Sequence, residues 1–402
     1  MQFKQRSLIN SCFLGAISAL MIAPALANTE QPSFEQCKDR FHQRAQKQNY
    51  SEDILKIIDN LTPIERVISL DKNQPEFAQS FAQYVKKRVS DYHVNHGRKM
   101  LKTHKTLLSD LQKQYGVAPQ YIVSFWGLET VFGRHKGKMS TLNSLATLAC
   151  DQRRSSYFTD ELFDLFYLIE NKTVDVDQLQ GSWAGAMGHM QFMPSALKKY
   201  AIDGDKDNKI NVWQSEVDAL TSAANYLSQI GWQRGERWGR EVKLPPEFDF
   251  ASFEFDKKYP LSKFAQAGVQ TAQHKALPQS SMQAELVLPN GHNGHAFLVY
   301  NNFDVTMKWN LSKNYALAVG ILADKLIGAP GVGSVAQAQP LPFSRTKMEQ
   351  LQAKLNDMGF KSGKPDGVWG PNSRKAIRAF QLENELVADG FPNQEVFQAL
   401  QL

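Results

Sequence analysis

Residues 329–343 carry no apolar periodicity. Ala329-Pro330-Gly331-Val332-Gly333-Ser334 leads to Gln337-Ala338-Gln339-Pro340, so Gly, Ala, Pro, Ser and Gln dominate. A stretch of this composition has no apolar face to bury and reads as a linker. The break rules out one continuous core. The chain is expected to fold as a large unit over 28–328 and a small one over 344–402. Roughly sixty residues is small for an independent fold, but sufficient.

The first 27 residues belong to neither unit. Lys4 and Arg6 make a positive leader, Leu14 to Ile22 form a short apolar core, and Ala25-Leu26-Ala27 is an A-x-A cleavage signal. The apolar run is too short and too interrupted for a membrane span. Cys12 lies too early to be a lipoprotein acceptor. Export of a mature chain beginning near Asn28, with no membrane span, is the expectation.

Removing Lys4 and Arg6 from the formal charge of +6 leaves +4, since residues 1–27 contain no Asp or Glu. A mildly basic exported chain is compatible with anionic wall polymers. No dense Lys/Arg stripe interleaved with aromatics is present, which argues against a nucleic-acid partner. Two cysteines survive processing, Cys37 and Cys150. In an oxidising compartment they are either a disulfide or two separate buried thiols.

Between about 34 and 230 the apolar residues recur at helical spacing. Phe34 to Gln48, Glu76 to Val89, Lys99 to Tyr115, Pro119 to Phe132, Tyr157 to Asn171 and Asp218 to Ile230 all read as helices. Gly116 and Gly133 look like stops, and Pro119 suits a first turn. Then the texture changes. Ala284 to Leu288 and His295 to Tyr300 flank Pro289-Asn290-Gly291, a β-hairpin signal with Asn-Gly at the positive-φ positions. A helix from Tyr315 to Ile327 closes the large unit, which is therefore α+β and mostly helical. In the small unit, Met348 to Met358, Ser373 to Leu386 and Gln394 to Leu400 are the predicted helices.

Two segments invite chemistry. Glu129 sits within Phe125-Trp126-Gly127-Leu128-Glu129-Thr130-Val131-Phe132-Gly133. An acid among such neighbours is disfavoured in its charged form, which suits a proton donor near neutral pH. The alternative is a solvated surface glutamate. The second segment is Gly181-Ser182-Trp183-Ala184-Gly185-Ala186-Met187-Gly188-His189-Met190-Gln191-Phe192-Met193-Pro194-Ser195. Its small residues let backbone approach a ligand, and Ser182 and Gln191 can orient one. Close packing of helices is the bland reading. A phosphate loop is not, because the Gly-Lys-Ser/Thr ending is missing.

Trp126 to Gly133, together with Gly185-Ala186-Met187-Gly188 and Gln191-Phe192-Met193-Pro194-Ser195, resemble the membrane-bound lytic transglycosylase B family, glycoside hydrolase family 103. Ser144 to Leu148, Arg153 to Phe158 and Asn314 to Val319 extend the resemblance over roughly 34 to 328. It implies a lysozyme-like catalytic domain that cleaves the β-1,4 bond between N-acetylmuramic acid (MurNAc) and N-acetylglucosamine (GlcNAc) in the periplasm, leaving 1,6-anhydro-MurNAc ends. Glu129 would be the catalytic acid and then the base. The sugar's own C6 hydroxyl attacks, so no second carboxylate at a glycosidase separation is required. The resemblance places Ser182, Gln191, Tyr157, Tyr300, Asn302 and Tyr315 in the substrate cleft; for the tyrosines, core packing is the alternative. Trp309 stands where the family commonly has Tyr, and is expected to stack.

Asp203-Gly204-Asp205-Lys206-Asp207-Asn208-Lys209 resembles the start of an EF-hand loop, with Asp203, Asp205, Asp207, the Lys209 carbonyl and Asp218 as candidate oxygen ligands for a structural calcium. Asn208 replaces the turn glycine but tolerates left-handed geometry. A solvated turn is the alternative, and no cofactor is expected for the chemistry itself. His93-x-x-His96 and His292-x-x-His295 lack the third ligand of a zinc site.

Residues 344–402 resemble a small three-helix peptidoglycan-binding domain through Leu351-Gln352, Asp366-Gly367-Val368-Trp369-Gly370, Ala379-Phe380-Gln381 and Asp389-Gly390. The implied partners are peptidoglycan glycan strands and other cell-wall enzymes. Two other functions fit less well: a muramidase hydrolysing the same bond with water, and a non-catalytic wall-binding scaffold that would have no need of Glu129.

Overall fold

The computed structural model describes residues 33–72, 79–329 and 343–402. The expected export signal lies outside the described residues, as does the 329–343 linker apart from its two ends.

The Pro119–Thr130 helix lies at the centre of the large unit. It is apolar on almost every side, so it has no solvent face, and Ile122, Phe125 and Trp126 are fully buried. The Asp91–Thr103, Lys105–Tyr115, Glu216–Gln229 and Lys313–Leu326 helices surround it. Pro119 occupies its first turn, where a missing N–H costs nothing. The helix ends one turn past Trp126. Val131, Phe132 and Gly133 follow at φ of 52°, 59° and 83°. Val131 is β-branched, and its left-handed conformation is a strained one immediately beyond Glu129-Thr130.

The sequence-predicted helix over Lys99 to Tyr115 is two. The chain breaks at His104, which ends Asp91–Thr103 and starts Lys105–Tyr115. Short helices that periodicity did not resolve, such as Glu52–Asp59, Thr141–Ala149 and Asn301–Trp309, complete the core. Cys37 and Cys150 form a disulfide with Cα atoms 5.8 Å apart, fastening the Phe34–Lys47 helix to the end of Thr141–Ala149.

A second core gathers around an antiparallel five-stranded sheet in the order Tyr259–Pro260, Gln283–Val287, Ala296–Val299, Gly239–Lys243, Gln270–Thr271. The hairpin is present, with Leu286 opposite Leu298. Its turn differs from the expectation: Gly291 has a φ of 73°, but Asn290 is not among the positive-φ residues. The connection runs over 288–295, and only a two-residue type I′ turn would demand both.

The small unit has its own core of Met348, Leu351, Leu355, Ile377, Phe380, Val396 and Phe397. Its two Asp-Gly turns are held in the same way. Gln352 accepts the N–H groups of Asp366 and Gly367, and Gln381 accepts that of Gly390. Both glutamines are buried, so these motif residues serve the fold.

This unit is docked on the large one rather than only tethered to it. Arg378 donates to the carbonyls of Phe250, Ala251 and Phe253. His292 Nδ1 lies 2.6 Å from the fully buried Asp389 carboxylate. Gly291 allows the approach, because a Cβ there would lie 2.9 Å from Asp389 and Phe391.

Candidate active site

Glu129 occupies the last turn of the central helix and is half-buried. Its Oε1 accepts a hydrogen bond from the Tyr315 hydroxyl at 2.5 Å and another from the Trp309 indole N–H at 2.8 Å. Trp309 ends the Asn301–Trp309 helix and Tyr315 lies in the first turn of Lys313–Leu326, so a short connection aims both at the acid. Burial, and then the nearby Glu129 carboxylate, push the Tyr315 hydroxyl well above its ordinary pKa. It is therefore a fixed donor.

Aromatic rings continue from Trp309. It stacks on Tyr226 with centroids 4.9 Å apart, and Tyr226 stacks on Tyr200 at 4.5 Å. Phe125 and Phe192 tilt against the same indole. Phe192 brings in the glycine-rich loop, which folds back on itself through paired Met187 and Phe192.

His189 locks this loop to the central helix. Its Nδ1 accepts the Trp126 indole N–H, and its carbonyl accepts the Thr130 hydroxyl at 2.7 Å. Burial, and secondarily the charge of Lys136, lower its pKa to about 4, so it is neutral under ordinary conditions. Thr130 is the neighbour of Glu129, so loop and acid are referenced to one point. Within the loop, Ser182 Oγ accepts the Ala186 N–H, which leaves its O–H to donate outward. Gln191 donates to the carbonyls of Lys136 and Gly188, leaving its own oxygen as the acceptor.

The other sequence-predicted cleft residues divide. Tyr157 is 48% exposed. Tyr315 is buried and contacts the acid rather than presenting a stacking face. Tyr300 and Asn302 are structural instead of cleft residues. Tyr300 is fully buried in the second core, and its hydroxyl accepts the Arg240 Nε–H. Asn302 is fully buried and brackets the 233–236 turn by accepting the Gln233 N–H and donating to the Gln233 and Glu236 carbonyls. Both lie where sheet meets helix, and an interior amide or phenol is retained only with such partners.

Sequence reasoning missed Trp309 as a partner of the acid, Tyr226 as its platform, and Glu161. Glu161 is buried on the Ser155–Glu170 helix and accepts the N–H and the hydroxyl of Ser195 at 2.9 and 2.7 Å. Burial raises its pKa, against the lowering effect of those bonds. Its partner lies 34 positions away in the chain, so no local spacing signalled it.

In the acidic loop, carboxylate oxygens of Asp203, Asp205 and Asp218 lie within 4.8 Å of one another. Asp207 is not in that group: its Oδ1 accepts the Lys209 N–H and serves the turn. Asn208 takes φ of 68°, the left-handed position expected of it. A trio of hard oxygens at that range suits calcium, since a divalent cation relieves their repulsion. The His pairs are otherwise engaged, His93 with Ser90, His292 with Asp389 and His295 with Glu241.

Residues 33–324 match the family model of the transglycosylase SLT domain, and residues 344–400 match that of a peptidoglycan binding domain. The chain belongs to the lytic transglycosylase family. This transglycosylase is 34% identical over 272 residues to the membrane-bound lytic murein transglycosylase B of Escherichia coli (strain K12), covering 66% of this chain and 72% of that protein. SltB3 from Pseudomonas aeruginosa, solved in complex with NAG-anhNAM-pentapeptide, is similar with a TM-score of 0.85 at 38% identity, covering 92% of this chain and 100% of that one. The Escherichia coli lytic transglycosylase Slt35, solved in complex with calcium, gives a TM-score of 0.64 at 30% identity over 72% of this chain and 92% of its own. The lysozyme-like, mostly helical fold and the C-terminal binding domain agree with the expectation from sequence. Among the described residues no helix is long and apolar enough to cross a membrane.

Proposed function

We propose that Glu129 carries both proton transfers in cleavage of the MurNAc-β-1,4-GlcNAc bond by this lytic transglycosylase. The protonated acid donates to the glycosidic oxygen as positive charge develops on the muramoyl ring. The carboxylate then takes the proton of that ring's C6 hydroxyl, which attacks C1 and closes the 1,6-anhydro end. The observation that carries this reading is the double clamp on Glu129 Oε1 by Tyr315 and Trp309. It fixes the carboxylate in place while its charge changes, as preorganised donors do. Ser182 and Gln191 supply a donor and an acceptor to orient the sugars, on the loop that His189 ties to Thr130.

A hydrolytic muramidase would need a second carboxylate to activate water. Glu161, a buried carboxylate, is committed to the N–H and hydroxyl of Ser195. Mass spectrometry of digested murein sacculi decides between the two, because an anhydro end is lighter than a reducing end by one water. Glu129→Gln should reduce turnover by about a thousandfold while leaving sedimentation with sacculi intact. A folded variant with unchanged turnover would sink the assignment.

Three further readings complete the proposal. Residues 1–27 direct export, and the mature enzyme acts in the periplasm, where an oxidising milieu suits the Cys37–Cys150 disulfide. Residues 28–328 form the catalytic part and 344–402 bind glycan strands. Asp203, Asp205 and Asp218 hold a structural calcium, which plays no part in bond cleavage.

A further inference from the structure

Arg374 and Arg378 lie one turn apart on the Pro371–Glu383 helix of the small unit, yet they are engaged differently. Arg378 is committed to the joint, where it donates to three carbonyls of the large unit. Arg374 is not. Its guanidinium lies over the Trp369 ring at 4.4 Å and faces Phe255 of the large unit at 5.8 Å. Among the described residues it has no hydrogen-bond or salt-bridge partner. Asp256, Glu285 and Asp389 act on it only through space. Lys313 holds the first two at 3.1 and 2.9 Å, and His292 holds the third.

Arg374 lines an open groove of about 1100 Å³ between the two units. The large unit contributes Val287, Met307 and Leu311 to its wall, and the small unit contributes Val368 and Trp369. Much of this wall is aliphatic. The guanidinium covers one face of the indole, and Phe391 packs edge-on against the same ring at 5.0 Å. A sugar therefore finds little of Trp369 to stack on. Leu311 is 87% exposed and sits on the short connection between Trp309 and Tyr315, the two donors to Glu129. The groove thus shares a wall segment with the clamp on the acid.

A planar fork of donors without an acceptor is half of an ion pair, and a carboxylate completes it in bidentate fashion. Arg374 is partly buried, which strengthens such a pair relative to one in open water. We propose that this groove binds a peptide of the cell wall that carries a free carboxylate, with Arg374 as the residue that pairs it. The aliphatic wall accommodates the hydrocarbon of the peptide. The proposal rests on the reading of the chain as a wall-cleaving enzyme. It deepens that reading, because the small unit then supplies a specificity-determining residue beside the cleft.

The test compares wild type and Arg374→Gln on two substrates: glycan strands bearing uncrosslinked peptides, and the same strands stripped of peptides by an amidase. On peptide-bearing strands Arg374→Gln is expected to raise KM about tenfold to a hundredfold, as for a lost hydrogen bond to a charged group. On stripped strands KM should change by less than about twofold. Wild type acting on strands whose peptide carboxyls are converted to methylamides should show the same rise, an arm that holds even if Arg374→Gln fails to fold. An unchanged KM on methylamidated strands overturns the proposal. So does an equal rise on both substrates, which would assign Arg374 to the joint. A rise confined to stripped strands would assign it to the lactyl carboxylate that stripping exposes, and a wild-type dimer lost in Arg374→Gln would assign the groove to a second copy. Either result also overturns the proposal. Failure of the underlying catalytic reading would look different, because anhydro ends would then be missing from the products of both substrates.

Discussion

Tyr315 donates its hydroxyl to Glu129 Oε1 across 2.5 Å, although the two residues are 186 positions apart in the chain. The Trp309 indole N–H ends on the same oxygen. Two fixed donors on one carboxylate oxygen stabilise charge there without needing to reorganise during the reaction.

Removing either donor should therefore slow chemistry more than binding. Hydrogen bonds to charged groups contribute about 1.5–3 kcal/mol. Tyr315→Phe and Trp309→Phe are each expected to lower kcat by about tenfold to a hundredfold, with KM changed by less than about threefold. Initial-rate measurements on purified glycan strands check this. A Tyr315→Phe enzyme with wild-type kcat would show that the clamp is only structural.

The fold should lose stability on acidification through His189. Its pKa falls from the ordinary 6.5 to about 4 on folding, mainly through burial. Between those values the unfolded chain binds the proton and the folded one does not, so stability falls as pH drops from about 6.5 toward 4 and levels off below. It is fully present above 6.5. The loss is on the order of 2–3 kcal/mol. Melting curves at pH 7 and pH 4.5 should show a smaller pH effect for His189→Gln than for wild type.

The disulfide spans a sequence separation of 113. A cross-link of that length contributes about 4–5 kcal/mol in the chain-entropy account. The paired variant Cys37→Ser, Cys150→Ser should unfold at a clearly lower urea concentration, and wild type under reductant should shift toward it. Coincident unfolding curves would contradict the expectation.

Calcium should raise thermal stability without changing the chemistry. A ligand at a hundred times its Kd adds about 2.7 kcal/mol. Asp205 is exposed and donates a carboxylate to the trio. Asp205→Asn should therefore abolish a calcium-dependent rise of a few degrees in Tm while preserving turnover. Differential scanning calorimetry with calcium and with chelator decides it.

Much of the site could be read from local sequence. Glu129, Ser182 and Gln191 lie in continuous motifs, and a motif fixes the backbone that presents them. The hairpin and most long helices were legible for the same reason, since apolar periodicity reports which face is buried. Tyr300 and Asn302 were misread because their surroundings are made by distant segments. Arg240 on a neighbouring strand claims the Tyr300 hydroxyl, and the 233–236 turn claims Asn302. Asp207 was expected among the metal ligands because spacing in the chain cannot say which carboxylates converge. It caps its own turn, while Asp203, Asp205 and Asp218, all three expected, form the cluster.

By itself the sequence determined the two-unit organisation, the mostly helical α+β class and the family. These follow from composition, periodicity and contiguous motifs, which are properties of neighbours in the chain. Tertiary structure alone decided what holds Glu129: Tyr315 and Trp309 at Oε1, and His189 between helix and loop. It also decided that the small unit is docked through Arg378 and Asp389. Hydrogen bonds and burial depend on distance in space, and the residues that supply them here come from separate helices brought together only by packing of the core.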